Sequence, residues 1–310
     1  FFKIIAIQLT TLGLHGDEAQ YWLWSKDLDY GYYSKPPFLP YLIRFFNVFF
    51  DDSFFGIKIL SVLIFPLTSF VIFLLSKKLF NYKIGIVCAL TFFLLPGVSL
   101  SSFIVSTDVL LLLFWSLTLY IFLFQVEKPS IVLSIALGLS IACGFLTKYA
   151  MVYFFVCTFF YLFIDREFFR HLIINIKYYI LVILVFLLGI SPNIYWNINN
   201  DWVTMVHTAD NVSLGFIDIN FNNFYQFLIS QIFIIGPLFF LTILVYFKKT
   251  FSLKGHNIFL ISYSLPILFL IIFESLIVRA HGNWAAVSYI CLSILFVANI
   301  YTIRPNIIIF

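Results

Sequence analysis

The sequence predicts an all-α fold: a polytopic helical membrane protein of about ten spans, with interfacial helices in its first outer loop. Three observations carry this. Of 310 residues, 63% are hydrophobic and 10% are charged, and the mean hydropathy is +1.05; a soluble domain is about a quarter charged. Apolar runs recur at lengths near the ~20 residues that cross a bilayer. The Lys and Arg residues between those runs alternate between a rich and a poor set of loops, the mark of cytoplasmic and outer sides.

Taken in order, the chain opens on FFKIIAIQLT without an initiator Met, and residues 4–14 read as the tail of a truncated first span. Nothing resembles a cleavable leader. Further spans are expected at 55–76, 84–99, 108–126, 131–147, 149–164, 178–196, 223–247, 257–273 and 284–303. The alternating strands of a membrane barrel are missing. Two outer loops are long, 15–54 and 197–222. Within the first, DEAQYWLWSKDL and FLPYLIRFFNVFF are each too short to span comfortably and place Trp and Tyr where membrane interfaces favour them. No loop holds a soluble domain, so residues 1–310 are expected to form a single transmembrane unit. Cys88, Cys143, Cys157 and Cys291 lie inside apolar runs and read as small core residues.

The cation-rich loops hold Lys77, Lys78, Lys83, Lys128, Arg166, Arg170, Lys177, Lys248, Lys249, Lys254 and Arg304; the other side has Lys26, Lys35, Arg44, Lys58, Lys148 and Arg279. The acids run the other way. Asp17, Glu18, Asp27, Asp29, Asp51, Asp52, Asp108, Asp201, Asp210, Asp218 and Glu274 fall outside, against Glu127, Asp165 and Glu167 inside. Acids contribute little to topology. A site on the outer face explains their bias, and so does an ordinary hydrated outer loop.

Several stretches combine chemistry with position. Asp17-Glu18 follows the first span directly; adjacent carboxylates there suit a general base or the N-terminus of a helix. In 32-YYSKPP-37 the two prolines fix an extended turn. They hold Lys35 where it either meets a lipid phosphate or snorkels. In 106-STDVLLLLFW-115, Asp108 heads a span, as a functional carboxylate or as part of a cap. Lys148 in GFLTKYA lies between two apolar runs with almost no loop, and either partners an acid or phosphate or ends a helical hairpin. The stretches 200-NDWVTMVHTADN-211 and 278-VRAHGNWAA-286 place His207, Arg279, His281 and Asn283 on the outer side with His15. Three histidines and several acids are metal-ligand types, but no HxxxH or HxH spacing joins them. Phosphate-loop, GxSxG and dinucleotide motifs are missing, which argues against a nucleotide-driven pump.

The order of blocks is more specific than any one of them. A span, then Asp-Glu, YWLWS and GYYSKPP, an amphipathic segment, and later STD and RAHGNWAAVSY resembles the GT-C membrane glycosyltransferases of the protein O-mannosyltransferase and lipid A aminoarabinose transferase type, bacterial members above all. The resemblance covers nearly the whole chain. It implies a multi-pass inner-membrane enzyme facing the periplasm or exterior, which moves a sugar from a polyprenyl phosphate to a hydroxyl or phosphate acceptor on lipid A, another glycan or a protein. Membrane lipids surround it and no nucleic acid takes part. It assigns Asp17 and Asp108 as the catalytic acids, Lys35 as the phosphate contact, and Lys148 and Arg279 as further phosphate or substrate contacts. Glu18, Trp22, Tyr32, Tyr33, His207 and Asn283 are expected to line the substrate path. Two departures stand out. Ser34 occupies the place where the aminoarabinose transferases carry an acidic metal ligand, which puts a bound divalent metal in doubt. Full members often carry a soluble domain after the spans; this sequence stops at Phe310, and that domain is expected to be absent from it. The alternative class is a transporter or flippase of a lipid-linked sugar or small solute; its polar residues would cluster at mid-membrane, whereas these cluster in outer loops.

Overall fold

The structure, a computed structural model, describes residues 2–211 and 219–303. Asp218, Arg304 and the side chains of Lys248 and Lys249 lie outside the described residues, as does the part of the second long loop at 212–218.

Among the described residues all regular structure is helical. The chain enters through α1 (Phe2–Leu9), α2 (Gly16–Trp24) and α3 (Phe38–Phe50). The bundle proper begins with α4 (Phe54–Leu79), α5 (Tyr82–Leu94), α6 (Pro96–Ser101), α7 (Thr107–Glu127) and α8 (Ile131–Thr147). A 3₁₀ turn, Tyr149–Val152, leads into α9 (Tyr153–Ile164), α10 (Arg166–Ile174), α11 (Ile176–Asn199) and α12 (Val203–Asn211). Then come α13 (Phe221–Ile235), α14 (Pro237–Thr250), α15 (His256–Ser262), α16 (Leu265–Ser275), a second 3₁₀ turn at Gly282–Ala285, and α17 (Ser288–Ile303).

Each of the ten expected segments is helical over most or part of its length, and the shorter apolar helices Tyr82–Leu94, Ile131–Thr147 and Ser288–Ile303 fall on three of them. Among the described residues four stretches of at least 18 residues are by themselves apolar enough to cross a membrane: Phe54–Leu79, Thr107–Glu127, Ile176–Asn199 and His256–Ser275. Six are reached if each of two bent pairs counts as one span. Several of the apolar segments are broken, each for a local cause. Expected span 84–99 breaks at Leu95, which turns extended (ψ 133°) before Pro96, as residues preceding proline do. Expected span 223–247 breaks at Gly236-Pro237 with a bend of 101°. Gly236 takes φ +88°, open to glycine because it has no Cβ. Helix α9 turns by 110° into α10 at Asp165, whose carboxylate caps α10 through the amides of Glu167 and Phe168.

Helices α4, α7, α8 and α11 pack successively side by side, with α5 behind α4. Helix α17 is buried along most of its length, as befits a helix apolar all round. Outward stripes such as Leu63, Leu67 and Phe70 on α4, and Ile180, Leu184 and Leu188 on α11, remain exposed. They follow the i, i+3 and i, i+4 spacings of one helix face and suit contact with lipid.

Candidate active site

The loops and short helices at the end of the bundle that carries residues 15–54 enclose a cavity of about 530 Å³. Its polar wall holds Asp17, Lys35, Asp108, Lys148, His281 and Asn283, and its apolar wall includes Phe65, Phe92, Leu112 and Ile234. A second cavity of about 270 Å³ adjoins it, sharing Lys35, Lys148 and Trp284. The helix breaks help shape the first cavity: Leu95 and Gly97 flank Pro96, Ile234 lies just before Gly236, and all three line it.

Asp17 sits in the first turn of α2. The N-cap is His15, and Glu18 closes a capping box by accepting from the His15 amide at 2.8 Å. His15, not Asp17, is therefore the cap and Glu18 serves the helix end, while the exposed Asp17 carboxylate faces the cavity. Glu18 is fully buried, which corrects its expected place on the substrate path. Its Oε1 and Oε2 accept from Lys58 Nζ at 2.7 and 2.6 Å, and Oε1 also accepts from the Val105 amide at 2.6 Å. Lys58 further donates to the Phe103 carbonyl at 3.0 Å. One buried ion pair thus ties α2, which carries Asp17, to α4 and to the loop before α7, which carries Asp108.

Asp108 heads α7 and is held on both oxygens: Lys148 Nζ donates to Oδ1 at 2.6 Å and Asn283 Nδ2 to Oδ2 at 2.7 Å. Three segments far apart in sequence meet on this one carboxylate. Lys35, between Ser34 and the buried Pro36-Pro37, lines both cavities. Burial pushes its ammonium below the usual lysine value and the neighbouring Lys148 charge adds to this, while Asp108 and Asp17 act in the opposite sense. Tyr21 also lines the larger cavity; burial, then Asp17 and Asp108, push its phenol up, so it stays protonated.

Other expected lining residues lie elsewhere. Trp22 donates its indole N–H to Asp52 at 2.9 Å and lies under the Lys26 ammonium. Tyr32 is buried against Trp24, ring centroids 4.8 Å apart, with its hydroxyl 3.1 Å from the carbonyls of Trp24 and Asp27. Both hold the loop together and line neither cavity. Tyr33 is exposed and packs on His207 at 4.8 Å; His207 lines the smaller cavity. Arg279 is exposed and lines neither cavity. Sequence reasoning missed Tyr21, though it lies four residues after Asp17, where helix geometry puts both on one face. It gave no role to Lys58 or Glu274.

The loop itself is pinned from α11 and α12. Trp196 donates to Asp29 at 2.6 Å, Asn193 to the Tyr30 carbonyl at 2.7 Å, and Thr204 to the Tyr32 carbonyl at 2.7 Å. Gly31 lies flat on the Trp196 ring, where an added Cβ would meet Cδ2 at 2.7 Å.

A metal ion finds no obvious cage. Ser34 and His207 line the smaller cavity, but a serine hydroxyl is a poor substitute for a carboxylate ligand. Among the described residues no three His, Cys, Asp or Glu side chains are grouped to hold an ion.

An all-helical membrane bundle with paired acids and lysines around one terminal cavity has the architecture of the GT-C class. ArnT from Cupriavidus metallidurans, in a structure bound to undecaprenyl phosphate, superposes with a TM-score of 0.78 at 16% identity, covering 98% of this chain and 59% of that one. The apo oligosaccharyltransferase of Archaeoglobus fulgidus gives 0.56 at 13% identity, over 97% of this chain and 49% of that one. The model of the dolichyl-phosphate-mannose-protein mannosyltransferase family matches residues 34–196, more than half of the sequence, and the chain belongs to that family. Lipid A galacturonosyltransferase RgtD of Rhizobium johnstonii is 29% identical over 98% of this chain; the chain spans 64% of that relative's length.

Proposed function

We propose that this chain is an inverting glycosyltransferase of the outer face of the bacterial inner membrane. Residues 1–310 act as one catalytic membrane unit. The donor is a sugar on a polyprenyl phosphate, and the acceptor is a hydroxyl or phosphate, most simply on lipid A. The observation that carries this reading is the gathering of Asp17, Lys35, Asp108 and Lys148 on one cavity with a long apolar wall. Two cations meet a lipid phosphate there and the apolar wall suits its prenyl chain. Family membership and the similarity to a lipid A transferase support it.

The two acids differ in what they are free to do. Both oxygens of Asp108 are occupied by Lys148 and Asn283, which suits it to positioning. Asp17 makes no side-chain hydrogen bond or ion pair among the described residues, and its carboxylate is free to take a proton. In the proposed step the acceptor oxygen bonds to the anomeric carbon as the bond from that carbon to the phosphate oxygen breaks. The acceptor's proton goes to Asp17, and the electron pair of the broken bond leaves with the polyprenyl phosphate. Lys35 and Lys148 neutralise the growing phosphate charge, so no general acid is required. Attack opposite the leaving group inverts the anomeric centre.

Reconstitution in liposomes with a radiolabelled polyprenyl-phosphate sugar and lipid A tests this. The proposal expects labelled lipid A with inverted stereochemistry. Movement of the donor across the bilayer without a new glycosidic bond would refute it.

A further inference from the structure

Glu274, in the last turn of α16, is half-buried and lines the smaller cavity with Lys35, Lys148, Tyr153 and His207. Among the described residues its carboxylate makes no hydrogen bond and no ion pair. The Lys35 ammonium is in the same position: its residue is linked by a backbone bond to Tyr32, and its side chain by none. Lys148 is already bonded to Asp108. A cation and an anion that make no direct bond, the cation offset only in part by Asp108 and Asp17, therefore share the walls of one small cavity without closing on each other. Partly buried charges left in this way cost free energy. A ligand with an anionic end and a hydrogen-donating end recovers it, because the charges are already in place. A sugar phosphate has both ends. At about 270 Å³ the cavity falls just below the ~300–1,000 Å³ range of small-ligand pockets, which leaves room for one sugar ring.

We propose that the smaller cavity receives the donor's sugar ring and that Glu274 reads its hydroxyl or amino groups, so that the protein takes a neutral or amino sugar and turns away a uronic acid. The anomeric carbon then lies at the junction of the two cavities, next to Lys35 and Lys148. The ring projects into the smaller cavity, and Asp17 reaches the acceptor from the larger. A carboxylate on the sugar would meet the half-buried Glu274, and like charges there select by repulsion. An ammonium in the same place would be attracted. This assignment rests on the transferase reading and narrows its substrate.

The test uses three donors with the same prenyl chain, carrying a hexose, the matching hexuronate and a matching amino sugar. Transfer and direct binding are measured on the full chain in nanodiscs. The wild type is expected to favour hexose over hexuronate by at least about tenfold in kcat/KM, the combined effect of a charge-assisted hydrogen bond to the hexose and a repulsion of the hexuronate. Glu274→Gln keeps the shape, weakens hexose use and narrows that preference by about tenfold. Glu274→Lys reverses it in favour of the hexuronate. A wild-type preference for the hexuronate, or a ratio that neither variant moves, overturns the assignment. Binding separates the two claims. Donors that bind in the expected order without any transfer sink the transferase reading and leave the pocket standing. Transfer that ignores Glu274 does the reverse.

Discussion

The Glu18–Lys58 pair gives the sharpest test of how the site is held. Glu18 accepts four hydrogen bonds, two from Lys58 and one each from the amides of Val105 and His15, and it is fully buried. Lys58→Met leaves the carboxylate with two of those four hydrogen bonds, and Glu18→Gln leaves a buried ammonium without its counter-charge. Each should destabilise by about 3–5 kcal/mol, the usual cost of stranding one member of a buried pair. The double variant Glu18→Gln/Lys58→Met strands no charge. It should lose about 1–2 kcal/mol for the weakened hydrogen bonds, so most of the stability returns. Turnover should behave differently. The pair joins the helix bearing Asp17 to the segment leading to Asp108, and a displacement of about 1 Å between catalytic groups costs on the order of a hundredfold in rate. All three variants should then stay slow at saturating donor while donor KM changes little. Thermal unfolding in detergent and single-turnover transfer read the two effects separately. If turnover recovers in the double variant along with stability, the pair is only packing and the positioning argument is wrong.

Other expectations follow from the same geometry. Asp17→Asn should keep donor binding and lower transfer by about 10²–10⁴-fold, the usual contribution of a general base, measured as rate against donor affinity. Lys35→Met should cost on the order of 3 kcal/mol in the barrier, about a hundredfold in kcat/KM. Because burial and Lys148 lower the Lys35 pKa and the charged form holds phosphate, donor binding should fall as pH rises, starting below the ~10.4 of a free lysine. Lys148→Met removes the repelling charge and frees Asp108, so that alkaline limb should move to higher pH in a donor-binding profile. Gly31→Ala drives a methyl into the Trp196 ring and should destabilise by about 1–3 kcal/mol, read by unfolding and by protease cleavage in residues 27–35.

Much of this molecule is written in local patterns. Helix α8 falls on the span expected at 131–147, because a continuous apolar run bounded by Ser130 and Lys148 needs no tertiary information. Pro96 and Pro237 are visible in the sequence as well, but hydropathy averaged over a window hides a break inside an apolar run, so the expected spans pass straight through them. The cavity shows the same division. Asp17, Lys35, Asp108, Lys148 and Asn283 stand out in the sequence as polar residues at the ends of apolar runs, and the fold brings them together. Pairing is not legible: Glu18 and Lys58 are forty residues apart, and no periodicity links them. The aromatic character of Trp22 and Tyr32 suggests a place beside the substrate. Their indole N–H and phenol instead satisfy polar groups of the loop, a demand that arises only once the chain is folded. In the sequence Glu274 is one more acid at the end of a span; only the fold gives it a cavity shared with Lys35.

The most direct test of the central claim is the structure of this protein with a polyprenyl-phosphate sugar bound to the Asp17→Asn variant. Phosphate oxygens should lie within hydrogen-bonding distance of Lys35 Nζ, with the side chain at position 17 facing the anomeric carbon. A phosphate seated at Arg279, or anywhere out of reach of Lys35, would contradict it.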